Sequence, residues 1–282
     1  MGAGEGESSS SSSVAHAAPL TRPLEGRVAI VTGASGGIGR AIALHLASLG
    51  ANLVLNYVGI STQPQAHLLA HDINSSSSPS SSHPRRARAI PVEADISDPA
   101  QVKCLFDQAE QAFGAQPHIL VNSAGVSDPK YPTIANTTVD DFDRIFSVNA
   151  RGAFLCCREA ANRLKRGGGG RIILISSSQV GGLKPGYGAY TASKAAVETM
   201  VMILAKELKG TGITANCVAP GPIATDMFFA GKGEEQVNKV IELCPLGRLG
   251  ETTDVAPLVG FLATDAGEWV NGQAIRVNGG YV

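Results

Sequence analysis

Along the chain, short apolar runs alternate with longer stretches in which apolar residues recur every three to four positions. RVAIVT, Arg27 to Thr32, reads as a buried strand. Behind it Ile38, Ile42, Leu46 and Leu49 keep helical spacing, and Gly50 closes the pattern. NLVLN, Asn52 to Asn56, predicts a second strand, and AIPVE, ILVN, RIILIS, TANCV and AIRV supply five more. Helices are expected between them: Asp98 followed by Pro99 marks one start, and Thr138 caps another. Alternation of this kind, kept up from residue 25 to residue 282, predicts one α/β domain. Its core is a doubly wound parallel sheet of about seven strands with helices on both faces.

Two polar stretches fall outside the pattern. Residues 1–24 form a Ser/Ala/Gly-rich tail, expected to be disordered, and NSSSSPSSSHPRR after a short helix is expected to be a mobile loop. Arg85, Arg86 and Arg88 at the end of that loop read as solvated charges. The tail lacks the charged start and apolar run of a secretory signal. It fits a transit peptide poorly, with Glu5 and Glu7 near its start and Arg22 as its only arginine. Gly6 stands where N-myristoylation wants Ser or Thr. A cytosolic (cytoplasmic) address is the expectation.

Composition narrows the function classes. With 44% hydrophobic residues the chain can bury a sizeable core. Its 23 Lys and Arg against 24 Asp and Glu leave a net charge of -1, which argues against nucleic acid or an anionic membrane as partner. No apolar run approaches the ~20 residues of a bilayer span. Five cysteines (Cys104, Cys156, Cys157, Cys217 and Cys244), without C-x-x-C spacing, point to a reducing compartment. His67 and His71 share a helical face but have no acidic or cysteine partner nearby, so no metal is expected. The 33 glycines suggest tight turns and close backbone approach to a ligand.

Those glycines concentrate where the first strand becomes the first helix, in Thr32-Gly33-Ala34-Ser35-Gly36-Gly37-Ile38-Gly39. In that context Gly33 permits the turn, Gly37 lets backbone approach a pyrophosphate, and Gly39 lets the helix pack close to the strand. The helix start offers unpaired N–H groups to the anion. A dinucleotide site for NAD normally ends its second strand with Asp or Glu; here the chain reads Leu55-Asn56-Tyr57. That absence admits the 2′-phosphate of NADP(H), with Arg40, Ser61 and Thr62 as candidate phosphate partners beside Asn56 and Tyr57. Gly36 removes one obvious place for an arginine.

Tyr190 and Lys194, at i and i+4, share one face of an expected helix. A nearby ammonium favours the phenolate, which makes Tyr190 the candidate proton donor in reduction and acceptor in oxidation. Ser177, at the end of RIILIS, could polarise a substrate carbonyl, although Ser176 and Ser178 leave that choice open by one position. Tyr187 has threonine rather than lysine four residues on, so it is a candidate for lining a substrate cavity, as is Ser178. Met227, Phe228 and Phe229 lie in a stretch, 225–249, that mixes apolar side chains, glycines and charges as a lid does; they wall the pocket or simply pack.

The glycine string, Asn122-Ser123-Ala124-Gly125, Asn149, Ser177, Tyr190 with Lys194, and Pro220-Gly221-Pro222-Ile223-Ala224-Thr225 occur in the order of the short-chain dehydrogenase/reductases. From residue 24 to the end the chain resembles that family. LEGRVAIVTG, GGGGRIILISSS and YGAYTASKAAVE look like its plant NADPH-dependent aldehyde reductase-like subgroup. The resemblance implies a Rossmann fold, and a catalytic set of Asn149, Ser177, Tyr190 and Lys194 in which Asn149 holds a water of the proton relay. It also implies that Asp95 and Ile96 contact the adenine. Asn122, Ala124 and Gly125 line the adenosine side. Pro220, Gly221, Ile223 and Thr225 meet the nicotinamide, while Ser35 and Ile38 join the glycines at the phosphates. Ser123 stands where the family more often has asparagine. The activity implied is reduction of an aldehyde or ketone by NADPH, with transfer from the pro-S face, in a homotetramer. Rival readings are a 3-oxoacyl-thioester reductase, a specialised-metabolism alcohol dehydrogenase or ketoreductase, and a non-catalytic NADP-binding regulator.

Overall fold

The computed structural model describes residues 1–2, 22–75 and 87–282. Most of the expected tail and the serine-rich loop, with Arg85 and Arg86, lie outside the described residues. Strands and helices alternate: β1 (Val28–Thr32), α1 (Gly37–Ser48), β2 (Asn52–Tyr57), α2 (Gln63–Ser75), β3 (Ala89–Glu93), α3 (Pro99–Phe113) and β4 (Ile119–Asn122). They continue with α4 (Val139–Phe146), α5 (Ala153–Arg163), β5 (Gly170–Ile175), α6 (Gln179–Gly182), α7 (Gly188–Glu207) and β6 (Ile213–Pro220). Last come α8 (Asp226–Phe229), α9 (Glu234–Glu242), α10 (Thr252–Ala263) and β7 (Ala274–Val277).

The seven strands form one parallel sheet in the order β3-β2-β1-β4-β5-β6-β7. Because side chains alternate along a strand, each strand feeds both faces. Ala29, Val31, Leu53 and Leu55 pack with α1, α2 and α10; Ile30 and Val54 pack with α3, α5 and α7 on the other face. This double burial explains why β1 and β2 read as continuous apolar runs instead of an alternating pattern. Local signals act as expected at two helix starts. Asp98 accepts from the amides of Ala100 and Gln101 ahead of Pro99, and Thr138 accepts from the Asp141 amide at 3.1 Å. The boundary of the tail is a correction. Leu24 is fully buried and its N–H donates to the Leu49 carbonyl at 3.0 Å, so the ordered domain starts before residue 25.

One polar clip fixes how β1 meets β4. Thr32 and Asn122 are level in the sheet, and the Thr32 hydroxyl donates to Asn122 Oδ1 at 2.8 Å. The same oxygen accepts from the Ser123 and Ala124 amides, each at 3.1 Å, just past the strand. Thr32 is fully buried and Asn122 nearly so, while the two amides are partly buried. Replacing Thr32 by valine keeps the shape and orphans three polar groups at once, each of which costs roughly 1–3 kcal/mol when buried. Thr32→Val is therefore expected to lower unfolding stability by about 2–4 kcal/mol, read from the urea midpoint at unchanged slope.

Candidate active site

From β1 the chain moves outward through β2 and β3, then returns to place β4 on the opposite side of β1. Connections therefore diverge at the carboxyl ends of β1 and β4, the place where open α/β sheets form a crevice. A cavity of about 670 Å³ opens there and runs from the glycine turn past the ends of β4, β5 and β6.

At one end stands the start of α1. Gly33 has φ +63, and a Cβ on it would lie 2.8 Å from the Ala124 Cα. Gly37 has φ +52 and faces Thr225. A side chain on Gly39 would strike the Gly33 carbonyl, so the helix rests directly on the turn. No side chain caps α1 and its first turn carries no acid. Its leading amides thus remain available to an anion. This uncapped, glycine-lined start fits the pyrophosphate of a dinucleotide.

Around it the structure sorts the candidate cofactor residues. Ser35, Ile38, Tyr57, Asp95, Ile96, Ala124, Gly125, Pro220, Gly221 and Ile223 line the cavity. Others are placed differently from the expectation. Arg40 is not on the cavity wall but half-exposed, with Asp72 at 3.7 Å. Ser61 is also off the wall. Asn122 is spent on Thr32, and Thr62 reaches the wall but donates its hydroxyl to the Val58 carbonyl at 2.7 Å. Asn56 lines the cavity but is largely buried; its amide donates to the Ala94 carbonyl at 2.9 Å and accepts from Gly33 N. It therefore ties β2 and β3 to the turn instead of offering its side chain to a ribose. Thr225 caps α8 through Phe228 N at 3.3 Å.

At the other end the three serines separate. Ser176 is buried and donates to Glu198 at 2.7 Å. Ser178 lines the cavity but is buried; its hydroxyl donates to the Ala219 carbonyl at 2.9 Å and accepts from Asn278 at 3.1 Å. Ser177 alone turns its hydroxyl to Tyr190. Tyr190 and Lys194 share the first turns of α7, as their spacing predicts. Lys194 Nζ donates to the Ile175 carbonyl at 2.8 Å and sits 5.9 Å from the centre of the Tyr190 ring.

The electrostatics depart from expectation. Burial pushes the Tyr190 phenol above its ordinary value, and the Ser177 hydrogen bond only partly offsets this. Burial also pulls the Lys194 ammonium down to about 8. Desolvation penalises both charged forms, and the ammonium is committed to a carbonyl. In the chain alone Tyr190 is thus held protonated, the state a proton donor needs.

Asn149 lies in a π-helical turn, Ser147–Gly152, between α4 and α5. Its amide clasps both polar atoms of the Val126 backbone and donates to Ser193 at 3.1 Å. A Cβ on Gly125 would sit 3.3 Å from both Asn149 Oδ1 and Lys194 Nζ, so glycine there lets the two groups face each other.

Met227 and Phe228 line the outer wall, whereas Phe229 is exposed and off it, which corrects its placement in the pocket. Tyr187 lines the wall with its ring 5.0 Å from Tyr131 and 6.4 Å from Tyr190; burial raises its phenol. Tyr131, Lys184, Lys232 and Tyr281 complete the wall and carry no sequence signature. Tyr131 comes from an irregular loop at φ +50, Tyr281 from the chain end, and neither position belongs to a periodic pattern.

Comparison with known proteins places this geometry. Residues 33–282 match a family model described as Enoyl-(Acyl carrier protein) reductase. An Arabidopsis thaliana "NADPH-dependent aldehyde reductase-like protein, chloroplastic" is 67% identical over 92% of this chain and 96% of its own. "NADPH-dependent aldehyde reductase 2, chloroplastic" from the same plant is 61% identical over 91% and 94%. A Burkholderia cenocepacia J2315 short chain dehydrogenase solved in complex with NADP superposes with a TM-score of 0.82 at 33% identity, covering 92% of this chain and 99% of its own. The cytosolic address expected from the tail does not stand, because both Arabidopsis relatives are chloroplastic by name. The two early glutamates outweighed a serine run, Ser8 to Ser13, that is itself a transit-peptide feature. With this fold, this glycine turn and relatives of this identity over nearly its whole length, the chain belongs to the short-chain dehydrogenase/reductase family.

Proposed function

We propose that the protein is an NADP(H)-dependent oxidoreductase that reduces an aldehyde or ketone to an alcohol. The observation that carries this reading is the meeting of Ser177, Tyr190 and Lys194 in one cavity with the uncapped start of α1. When bound, the nicotinamide supplies a hydride to the carbonyl carbon. NADP(H) is supported over NAD(H) by the end of β2, where Asn56 and Tyr57 stand instead of a carboxylate. The two Arabidopsis relatives are NADPH-dependent by name.

Within this site each residue has a task. As a carbon–hydrogen bond forms, the carbonyl π pair moves to oxygen, and Ser177 donates a hydrogen bond to that growing charge. Tyr190 gives its phenolic proton to the same oxygen. Burial keeps the phenol protonated at neutral pH until an acceptor arrives, and the Ser177 hydrogen bond works against that burial to favour release. Lys194, whose ammonium lies 5.9 Å from the centre of the Tyr190 ring, stabilises the phenolate left behind, and Asn149 faces it as the next group of a relay that returns the proton. The stretch 225–249, with α8 and α9, serves as the lid of a single domain, and Met227, Phe228 and Tyr187 form the apolar side of the pocket. A homotetramer and a plastid address complete the reading. The first is supported by exposed Phe154 on α5 and Met202 and Ile203 on α7, the second by the relatives' names.

Three outcomes are expected. Tyr190→Phe should lower aldehyde reduction by about 10²–10⁴-fold, followed as NADPH oxidation, while NADPH binding by fluorescence persists; Ser177→Ala should lose about 10²-fold. Unimpaired turnover in Tyr190→Phe sinks the mechanism. The second concerns pH. Below about 8 the Lys194 ammonium is charged in folded and unfolded chains alike, and its burial costs the fold. Between about 8 and 10.5 the unfolded chain binds the extra proton, so stability from this site rises with pH. Lys194→Met is therefore expected to raise the melting temperature of the cofactor-free protein most at pH 7, with the gain shrinking above pH 8. Third, a fluorescent protein fused behind residues 1–24 should enter plastids of a leaf cell; cytosolic fluorescence refutes that address.

A further inference from the structure

The outer cavity wall contains a cation whose placement is fixed from several sides and whose charge has no ion-pair partner among the described residues. Lys232, just after α8, donates from Nζ to the Phe228 carbonyl and to the Tyr131 hydroxyl. Its ammonium lies 4.4 Å from the centre of the Tyr131 ring and 4.6 Å from that of Phe228. The backbone beneath it is docked as well. Tyr131 Oη donates to the Ala230 carbonyl at 2.6 Å, and Gly231, at φ +72, presses so close to the Pro129 carbonyl that a Cβ would collide with it.

An ammonium has three protons, and among the described residues two are used, both on uncharged oxygens. No described ion pair includes Lys232. Two carboxylates line the cavity. Asp95 stands after β3 at the glycine-turn end, where it accepts from Ser97. Asp226 belongs to α8, yet lies beyond the 4.0 Å that would make an ion pair with Lys232. On the same wall Lys184 adds a second cation without a described acidic partner, and Arg144 pairs with Asp141 at 3.5 Å. A partly buried charge held against two aromatic faces is poorly hydrated on those sides. Its interaction with an incoming anion is correspondingly stronger than at an open surface.

We propose that Lys232 is a specificity-determining residue: it receives an anionic oxygen of the substrate through its third proton, so that the enzyme prefers carbonyl compounds bearing a carboxylate at the end away from the reacting carbon. The proposal rests on the reductase reading above and deepens it. Tyr131 acts through Lys232 as a positioning residue, since its hydroxyl and ring hold the ammonium in place.

The test compares two aldehydes of the same shape that differ in charge, 4-carboxybenzaldehyde and 4-formylbenzamide. In the unsubstituted enzyme kcat/KM for the carboxylate should exceed that for the amide by about tenfold, the scale of a charge-assisted contact at a partly exposed site. In Lys232→Gln that ratio should fall to about one, and in Lys232→Arg it should persist. A ratio near one in the unsubstituted enzyme, or one that Lys232→Gln leaves unchanged whatever happens to the absolute rates, overturns the proposal; the latter outcome makes Lys232 a latch of the lid and nothing more. Calorimetric binding of 4-(hydroxymethyl)benzoate and 4-(hydroxymethyl)benzamide to the NADP+-loaded protein separates the two readings. If neither aldehyde turns over, the reductase reading fails. A Lys232-dependent preference for the benzoate then still sustains the proposal, and equal binding ends it.

Discussion

The cavity exists because two strands that diverge above the sheet are pinned together just below it. Gly33 approaches Ala124 so closely that no side chain fits between them, and one threonine hydroxyl gathers Asn122 and the next two amides of the same segment. Loosening that clip would move the glycine turn relative to β4, and with it α1, which rests on the turn at Gly39. Asn56 repeats the device one strand over by tying β2 and the end of β3 to Gly33. Residues that a motif reader assigns to the ligand thus turn out to hold the frame around it. Buried polar groups need partners, and at a strand end the nearest partners are neighbouring backbones.

The reacting end follows a different rule. Here Lys194 is buried and Tyr190 and Ser177 are partly withdrawn from water before any substrate arrives, and the charged forms of Tyr190 and Lys194 are both penalised. The phenol is kept protonated and the ammonium is brought towards neutral pH, and within the chain alone the phenolate that donation leaves is relieved only by the Ser177 hydrogen bond. Gly125, the π turn and Ser193 then fix Asn149 relative to Lys194, so the placement of the two groups is set by backbone geometry as much as by side-chain identity. The outer wall adds tyrosines and cations from segments far apart in sequence, and its charge is lopsided in favour of an anion.

Sequence by itself determined the sheet, its faces and the pairing of Tyr190 with Lys194, because each leaves a short-range trace. Strands buried on both sides must be continuously apolar; a turn this tight must be glycine; a phenol and ammonium on one helix face must be four residues apart. Ser177, by contrast, could be told from Ser176 and Ser178 only once β5, β6 and α7 were in place, since the three hydroxyls differ in what stands opposite them and not in their neighbours along the chain. The hydrogen bonds of Asn56 and Asn122 to the frame, and the distance of Arg40 from the cavity wall, were decided in the same way. Tyr131, Lys232 and Tyr281 were invisible beforehand because loops carry no periodicity, and a pocket wall assembled from three loops is a property of packing that no local pattern encodes.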